Sequence, residues 1–192
     1  MIILDPGHGY NTTGKASPIW PDGTQLFEWE FNRDVARRVK RDLSHQGIKS
    51  VILVEGAIDV YLHVRANRAN EIARRFPGSF LISIHGNATP GGRGWEVWTS
   101  PGQTESDKIA TKLYESAKYY LQGFRMRHDY TDGDPDKESP FTILMKTTCP
   151  AVLTENLFYD NEKECRFMLS DYGKEMITKL HVDGIIDYMR EQ

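Results

Sequence analysis

Two histidines, His8 and His85, each follow a short apolar segment and precede a glycine. An apolar segment of this kind predicts a buried strand of an α/β sheet. Open α/β sheets bind ligands at the edge where their strands end, so two such strands can bring both imidazoles to one place. Because imidazole is the commonest metal-binding side chain, the sequence predicts that a metal ion, zinc, binds at the end of a sheet.

A zinc ion in a hydrolase takes three protein ligands and leaves one position for water. Two glutamates near a predicted helix start qualify as the third ligand. Glu28 shares the apolar stripe of Phe31 and Val35, whereas Glu30 lies about 200° away around the helix. Burying an unpaired charge is costly, so we predict that Glu28 binds the metal. The alternative is that Glu28 complements the helix macrodipole in the first turn.

A further apolar segment, residues 150–154, ends in Glu155. This carboxylate is expected to project from the same sheet edge as His8 and His85. A zinc-bound water needs a general base that takes its proton and passes it to the leaving nitrogen. We predict that Glu155 is this base. Two alternatives stay open, namely a structural ion pair with an arginine such as Arg65 and direct ligation of the metal.

Asn87 and Arg65 are further candidates for the site. Each can orient the substrate or support the metal ligands through hydrogen bonds. Capping of a strand by Asn87 and a buried ion pair of Arg65 explain the two residues equally well. The acidic loop 129–138 does not fit the EF-hand spacing, and we expect it to be solvated.

Alternating apolar patterns predict the elements that must position these side chains. Strands are expected over 1–5, 50–54, 80–85, 94–100 and 151–157, with a shorter one near 142–146. Helices are expected over 28–46, 60–75, 105–122 and 171–190, with Asp59 as a helix N-cap. This order predicts a single α/β domain over 1–192, with a twisted, mostly parallel mixed sheet of about six strands and helices on both faces.

Composition excludes several classes of function. The chain has 39% hydrophobic and 27% charged residues, as is usual for a soluble globular protein. Its net charge of −3 gives no electrostatic reason to expect nucleic acid or an anionic membrane as partner. No apolar stretch approaches the roughly 20 residues that span a bilayer, so no membrane insertion is expected. Cys149 and Cys165 are expected to be free thiols rather than a disulfide.

Location and assembly are expectations of the same kind. Met1 is followed directly by the first predicted strand, so no signal peptide is visible. We therefore expect a protein that is cytoplasmic before release, or a leader that is absent from this chain. We also expect a monomer.

Five motifs in order resemble the amidase-3 family of zinc-dependent N-acetylmuramoyl-L-alanine amidases. They are DPGHG at 5–9, Glu28 with Asn32, Asp59 with Arg65 and Ala69-Asn70, SIHGNA at 83–88, and PAVLTE at 150–155 with Phe158 and Asn161. The resemblance implies that His8, Glu28 and His85 bind zinc and that Glu155 is the catalytic acid/base.

The substrate is implied by this resemblance alone. It is peptidoglycan, cleaved at the amide that joins N-acetylmuramic acid to L-alanine of the stem peptide, so the protein is expected to act at the bacterial cell wall. The alternatives are another zinc peptidase or amidohydrolase and a non-catalytic wall-binding module. Two departures from the family pattern concern the long segment between His8 and Glu28 and the residue before Phe158, where Leu157 replaces the usual small residue.

Overall fold

A six-stranded mixed sheet forms the centre of the protein. The computed structural model describes all residues, Met1–Gln192. The strands are β1 (Ile2–Pro6), β2 (Ser50–Ile52), β3 (Phe80–Asn87), β4 (Glu96–Thr99), β5 (Lys137–Glu138) and β6 (Ala151–Phe158). Their order across the sheet is β2-β1-β3-β6-β4-β5. Strands β1, β2, β3 and β6 are parallel, and β4 runs antiparallel to β6. The predicted fold class is confirmed.

Six helices cover both faces of this sheet. They are α1 (Glu28–His45), α2 (Leu62–Arg75), α3 (Glu105–Tyr120), α4 (Thr142–Lys146), α5 (Glu162–Leu169) and α6 (Asp171–Arg190). The larger core cluster contains residues of α1, α3, α5 and α6, and the smaller one contains residues of α2 and α4. Strands between two such layers are apolar on both sides, which is why Ile2, Ile3 and Leu4 are all buried.

The long helices form where the apolar spacing predicts them. In α1, the stripe from Phe31 to Leu43 lies in the larger core cluster. In α6, Gly184 lets the helix approach α3 closely, because a Cβ atom there would lie 2.9 Å from the Cα of Leu113. No helix of the structure has the length and apolar character that crossing a membrane requires.

The prediction of a strand near 142–146 is wrong, because these residues form α4. The backbone N–H groups of Leu144 and Met145 both donate to the carbonyl of Phe141, as in a helical turn. A short apolar run fits a helix as well as a strand, and here the adjacent residues Ile143 and Leu144 are both buried. The sixth strand is instead β5, which pairs with β4.

Two other local features differ from the predictions. Asp59 is not a helix N-cap, because α2 begins after Tyr61 and has no side-chain cap. Helix α5 has no predicted counterpart, and the side chain of Asn161 caps it by accepting a hydrogen bond from the backbone of Glu164. Cys149 and Cys165 are free thiols, as predicted.

The sheet topology brings distant segments to one edge. Asp5 of β1 is level with Ser83 of β3, and His85 of β3 is level with Glu155 of β6. Because side chains alternate along a strand, Ser83 and His85 share a face of β3. The parallel strands β1, β3 and β6 therefore end together beside the first turn of α1, where Glu28 lies.

Candidate active site

His8, Glu28 and His85 converge at this edge. Each offers one ligand atom, and these atoms all lie within 4.8 Å of one another. Glu28 Oε1 is 3.4 Å from His8 Nε2 and 3.2 Å from His85 Nδ1. Glu28 is completely buried, as its place on the apolar stripe predicts, whereas Glu30 is exposed.

The backbone around His8 is shaped to bring the two imidazoles together. A Cβ atom on Gly7 would lie 2.1 Å from the His85 ring, so only glycine allows this approach. His8 itself has a φ of 60°, a left-handed conformation that few residues other than glycine adopt. Its carbonyl accepts a hydrogen bond of 3.1 Å from Arg65, which helps to hold the turn.

The charges in the cluster fit a divalent cation. Burial opposes ionisation of Glu28, but hydrogen bonds from His8 and His85 hold the pKa of Glu28 well below its usual range. The Glu28 carboxylate in turn raises the pKa of His85 against the effect of burial. Glu28 Oε2 is buried and has no hydrogen-bond partner. Two imidazoles and a buried carboxylate with a free oxygen form a donor set that suits zinc.

Glu155 lies next to this cluster and makes no ion pair. Its Oε2 atom is buried without a hydrogen-bond partner. Burial is the main reason that the pKa of Glu155 is raised to about 8, although His85 lowers it and Glu28 and Glu96 raise it. A carboxyl group that exchanges protons near neutral pH is suited to general acid/base chemistry.

Arg65 holds two carboxylates and the backbone beneath His8. Its guanidinium donates to Asp5 Oδ1 at 2.6 Å, to Asp59 Oδ1 at 2.9 Å and to the carbonyl of Pro6 at 2.7 Å. Arg65 is almost completely buried. The alternative pairing with Glu155 is not observed. The predicted candidate Arg65 thus forms a buried ion pair and also supports the backbone next to His8.

A hydrogen-bonded chain connects Asp5 with the far side of His85. Ser83 Oγ donates to Asp5 Oδ2 at 2.9 Å and lies 3.2 Å from His85 Nε2. The two ring nitrogens of His85 therefore face different partners, Ser83 on one side and Glu28 on the other. Outer contacts of this type fix the orientation of a metal-binding imidazole.

Asn87, the other candidate, belongs to a separate polar group. Its amide donates to Glu96 Oε1 at 2.8 Å, and Glu96 Oε2 accepts from Arg127 at 2.6 Å and from Lys137 at 3.0 Å. Glu96 of β4 is level with Glu155 of β6. Sequence reasoning missed Glu96, Arg127 and Lys137. The only signal for Glu96 is a charged residue within the apolar run of β4.

A cleft of about 210 Å³ lies beside His8 and His85 and is bordered by Arg65, the loop 59–61 and Leu62 at the start of α2. Tyr61 is strongly exposed at this border. Of the two aromatics in the long first loop, Tyr10 is exposed. Trp20 instead donates to Cys165 Sγ at 3.2 Å and packs against the core.

Comparison with known proteins identifies the family. The sequence matches Amidase_3, described as N-acetylmuramoyl-L-alanine amidase, over residues 2–187. The chain belongs to this family. The family predicted from the motifs is therefore confirmed.

Relatives of this amidase family cover nearly all of the chain. An endolysin of Bacillus phage SPP1 is 28% identical over 98% of the chain, and the amidase CwlM of Bacillus licheniformis is 27% identical over 96%. The chain spans 66% of the length of each of these two relatives. Among solved structures, an N-acetylmuramoyl-L-alanine amidase from Clostridium difficile 630 has the same fold, with a TM-score of 0.83, 24% identity, and coverage of 100% of this chain and 97% of the other.

The structure explains one departure from the amidase pattern. Leu157, which replaces the usual small residue after the glutamate strand motif, has a φ of 68°. This left-handed conformation favours glycine. The leucine side chain is nevertheless completely buried in the larger core cluster. Packing energy therefore offsets a backbone cost that a glycine at this position would avoid.

The acidic loop 129–138 is only partly exposed to solvent, so the prediction that it is solvated holds in part. Asp132 is exposed, but Asp136 is buried and accepts a hydrogen bond of 2.5 Å from Thr99. Burial, followed by the adjacent Asp134, raises the pKa of Asp136 to about 8. The loop thus anchors itself to β4 through a buried carboxyl group.

Proposed function

We propose that the chain hydrolyses the amide between N-acetylmuramic acid and L-alanine of the peptidoglycan stem peptide. In this proposal His8, Glu28 and His85 hold a zinc ion, and Glu155 is the general acid/base. The observation that carries the proposal is the convergence of three ligand atoms within 4.8 Å. Membership of the amidase family supports the choice of bond and substrate.

A zinc ion held by these residues supplies Lewis-acid polarisation of the scissile carbonyl and lowers the pKa of water. Glu155 Oε2, which no other group engages, takes a proton from the attacking water. The same oxygen then donates that proton to the departing alanine nitrogen. Arg65 and Ser83 keep His8 and His85 in place during these steps through the hydrogen bonds described above.

The proposed place of action is the bacterial cell wall, where the substrate is located. The expected monomeric state and the expected lack of membrane insertion stay predictions. Two rival functions make different products. A peptidase with the same ligands would cut within the stem peptide, and a non-catalytic wall-binding module would bind peptidoglycan and release nothing.

The test is digestion of purified peptidoglycan, followed by mass spectrometry of the soluble products. We expect intact stem peptides with a free N-terminal alanine, loss of their release with a chelator, and recovery when zinc is restored. Peptides cut at internal bonds would identify a peptidase. Binding to the wall without any release, in protein shown to contain zinc, would refute the proposed hydrolysis.

A further inference from the structure

Glu96 binds two cationic side chains next to Glu155, the candidate catalytic glutamate. Its buried carboxylate accepts from Arg127 Nε at 2.6 Å and from Lys137 Nζ at 3.0 Å, both at Oε2. One negative charge thus faces two positive charges. Asn87, the third partner, is neutral. The group of Glu96, Arg127 and Lys137 therefore carries a net positive charge at the rim of the site.

The sheet places this group close to the reaction centre. Glu96 and Glu155 are opposite each other in the antiparallel pair of β4 and β6. Side chains directly opposite share a face and have Cβ atoms about 4.5–5.5 Å apart. The Arg127 guanidinium is hydrogen-bonded to Glu96 and therefore lies next to it. It is therefore on the side of Glu155 that faces away from the loop 59–61.

Arg127 is held in position and still has hydrogen-bond donors that are not used. Its bond to Glu96 uses Nε only, which leaves Nη1 and Nη2 for another acceptor. The guanidinium carbon lies 5.3 Å from the centre of the Phe158 ring, and the side chain is 30% exposed. Lys137 is fixed in a similar way, with its ammonium 4.1 Å from the centre of the Trp98 ring. A fixed guanidinium with two free donors matches the geometry of a carboxylate.

We propose that Arg127, with Lys137 beside it, binds a carboxylate of the stem peptide, on the residue that follows the alanine. This inference rests on the proposed function. The glycan side of the amide offers uncharged hydroxyl and acetamido groups, whereas the peptide side offers carboxylates. Two extended residues span about 7 Å, so a peptide that runs from Glu155 towards β4 would bring the residue after the alanine to this group. Arg127 is thus a specificity-determining residue for an acidic peptide.

A purely structural role would give a different result. Arg127 also ties the long loop 123–136 to β4, so its removal can change stability without any effect on substrate choice. The measurement must therefore compare two substrates on one protein. N-acetylmuramoyl-L-alanyl-γ-D-glutamyl-L-lysine and N-acetylmuramoyl-L-alanyl-D-isoglutaminyl-L-lysine suit this purpose. The γ-carboxyl group forms a peptide bond in both compounds, so the residue after the alanine carries a free α-carboxylate in the first and the corresponding amide in the second.

The experiment measures kcat/KM of the zinc-loaded chain and of Arg127→Gln on both compounds. We expect the wild-type chain to prefer the acid by about tenfold or more, the usual size of a charge-assisted hydrogen bond. In Arg127→Gln this preference should fall towards one, mainly through a higher KM for the acid. Lys137→Gln is expected to reduce the preference less, and Arg127→Lys should keep part of it.

Arg125→Gln is the matched control, because Arg125 is exposed two residues away and has no part in the Glu96 group. It should keep the wild-type preference and rate. Equal rates of the wild-type chain on acid and amide would overturn the inference, as would an unchanged preference in a folded, zinc-loaded Arg127→Gln. If neither compound nor intact peptidoglycan is cleaved by zinc-loaded protein, the proposed function fails and the inference fails with it.

Discussion

Asp5 and Glu28 are two buried carboxylates near the same pair of histidines, and they differ in their partners. Asp5 is 1% exposed, and its two oxygens bind Arg65 and Ser83. Glu28 is 0% exposed. Its Oε1 faces both imidazoles, the backbone of Gly86 and the amide of Asn32, whereas its Oε2 lies 3.8 Å from Lys15 Nζ and has no hydrogen-bond partner. The comparison teaches that burial alone does not mark a functional carboxylate. A buried oxygen without a hydrogen-bond partner does, because a buried charge needs compensation.

Glu155 resembles Glu28 in this respect. It has a buried oxygen without a partner, and no arginine or lysine forms an ion pair with it. We therefore infer that Asp5 mainly stabilises the fold, whereas Glu28 and Glu155 serve the metal and the reaction. Substitutions at these positions should separate stability from metal binding and turnover.

The largest effect is expected for Glu155→Gln. Removal of a general acid/base typically lowers turnover by about 10²–10⁴-fold, while the zinc content should stay at the wild-type level. Release of stem peptides and metal analysis of the same sample give both values. Substantial turnover in this variant would remove Glu155 from the group of functional carboxylates.

Glu28→Gln should act on metal binding instead. If zinc binds as proposed, it should stabilise the folded wild-type chain by about 2.7 kcal/mol at a concentration 100 times its Kd, and this gain should be largely lost in Glu28→Gln. Thermal unfolding with and without zinc measures it. The matched control is Glu30→Gln on the exposed side of the same helix, which should keep the full zinc-dependent rise in Tm. A normal rise in Glu28→Gln would contradict the assignment.

Asp5→Asn should act on stability first. Breaking a buried ion pair usually costs about 3–5 kcal/mol, and the lower end is expected because Asp59 still binds Arg65. The free energy of unfolding of zinc-free protein, from denaturant titration, checks this. The contrast between the carboxylates breaks down if Asp5→Asn loses zinc but keeps the wild-type stability.

The smallest effect is expected for substitution of Asp136. This buried carboxyl group extends the comparison, because neither a cation nor an imidazole is its hydrogen-bond partner. Its pKa is about 8 in the folded chain and about 3.9 in an unfolded one. The folded state therefore holds the proton more tightly, so the contribution of Asp136 to stability is complete below pH 4 and is lost as the pH rises to 8. Asp136→Asn should remove this loss.

The measurable result is a higher Tm for Asp136→Asn at pH 8, by about 2–4 °C, or roughly 1 kcal/mol. Near pH 4 the variant should have no such advantage. The exposed residue Asp132 provides the control, because Asp132→Asn should give the wild-type pH dependence. A gain that is equal at both pH values would point to a cause other than the titration of Asp136.

The sequence predicted those parts of the site that depend on local patterns. A histidine at a strand end and a glutamate on an apolar helical stripe are visible without a structure, and so are the main helices. The ion pair of Asp5 with Arg65 joins residues 60 positions apart, and no local pattern selects one arginine for it. The contacts of Glu96 with Arg127 and Lys137 depend on the pairing of β4 with β6, which the sequence does not specify.

The short elements α4 and β5 were not predicted correctly for a different reason. The five residues of α4 are too few for helical and strand periodicity to be told apart. The two residues of β5 have no periodicity at all, and their place in the sheet depends on Trp98 and Thr99 of β4.

Leu157 limits how this protein can be recombined with its relatives. A segment that carries glycine at this position would fit the backbone but would leave a cavity where the leucine side chain packs. Conversely, leucine introduced alone into a relative would have the cost of the left-handed backbone conformation without the surrounding core that accommodates its side chain. Chimaeric amidases that exchange the Glu155 strand should therefore exchange the surrounding helices as well.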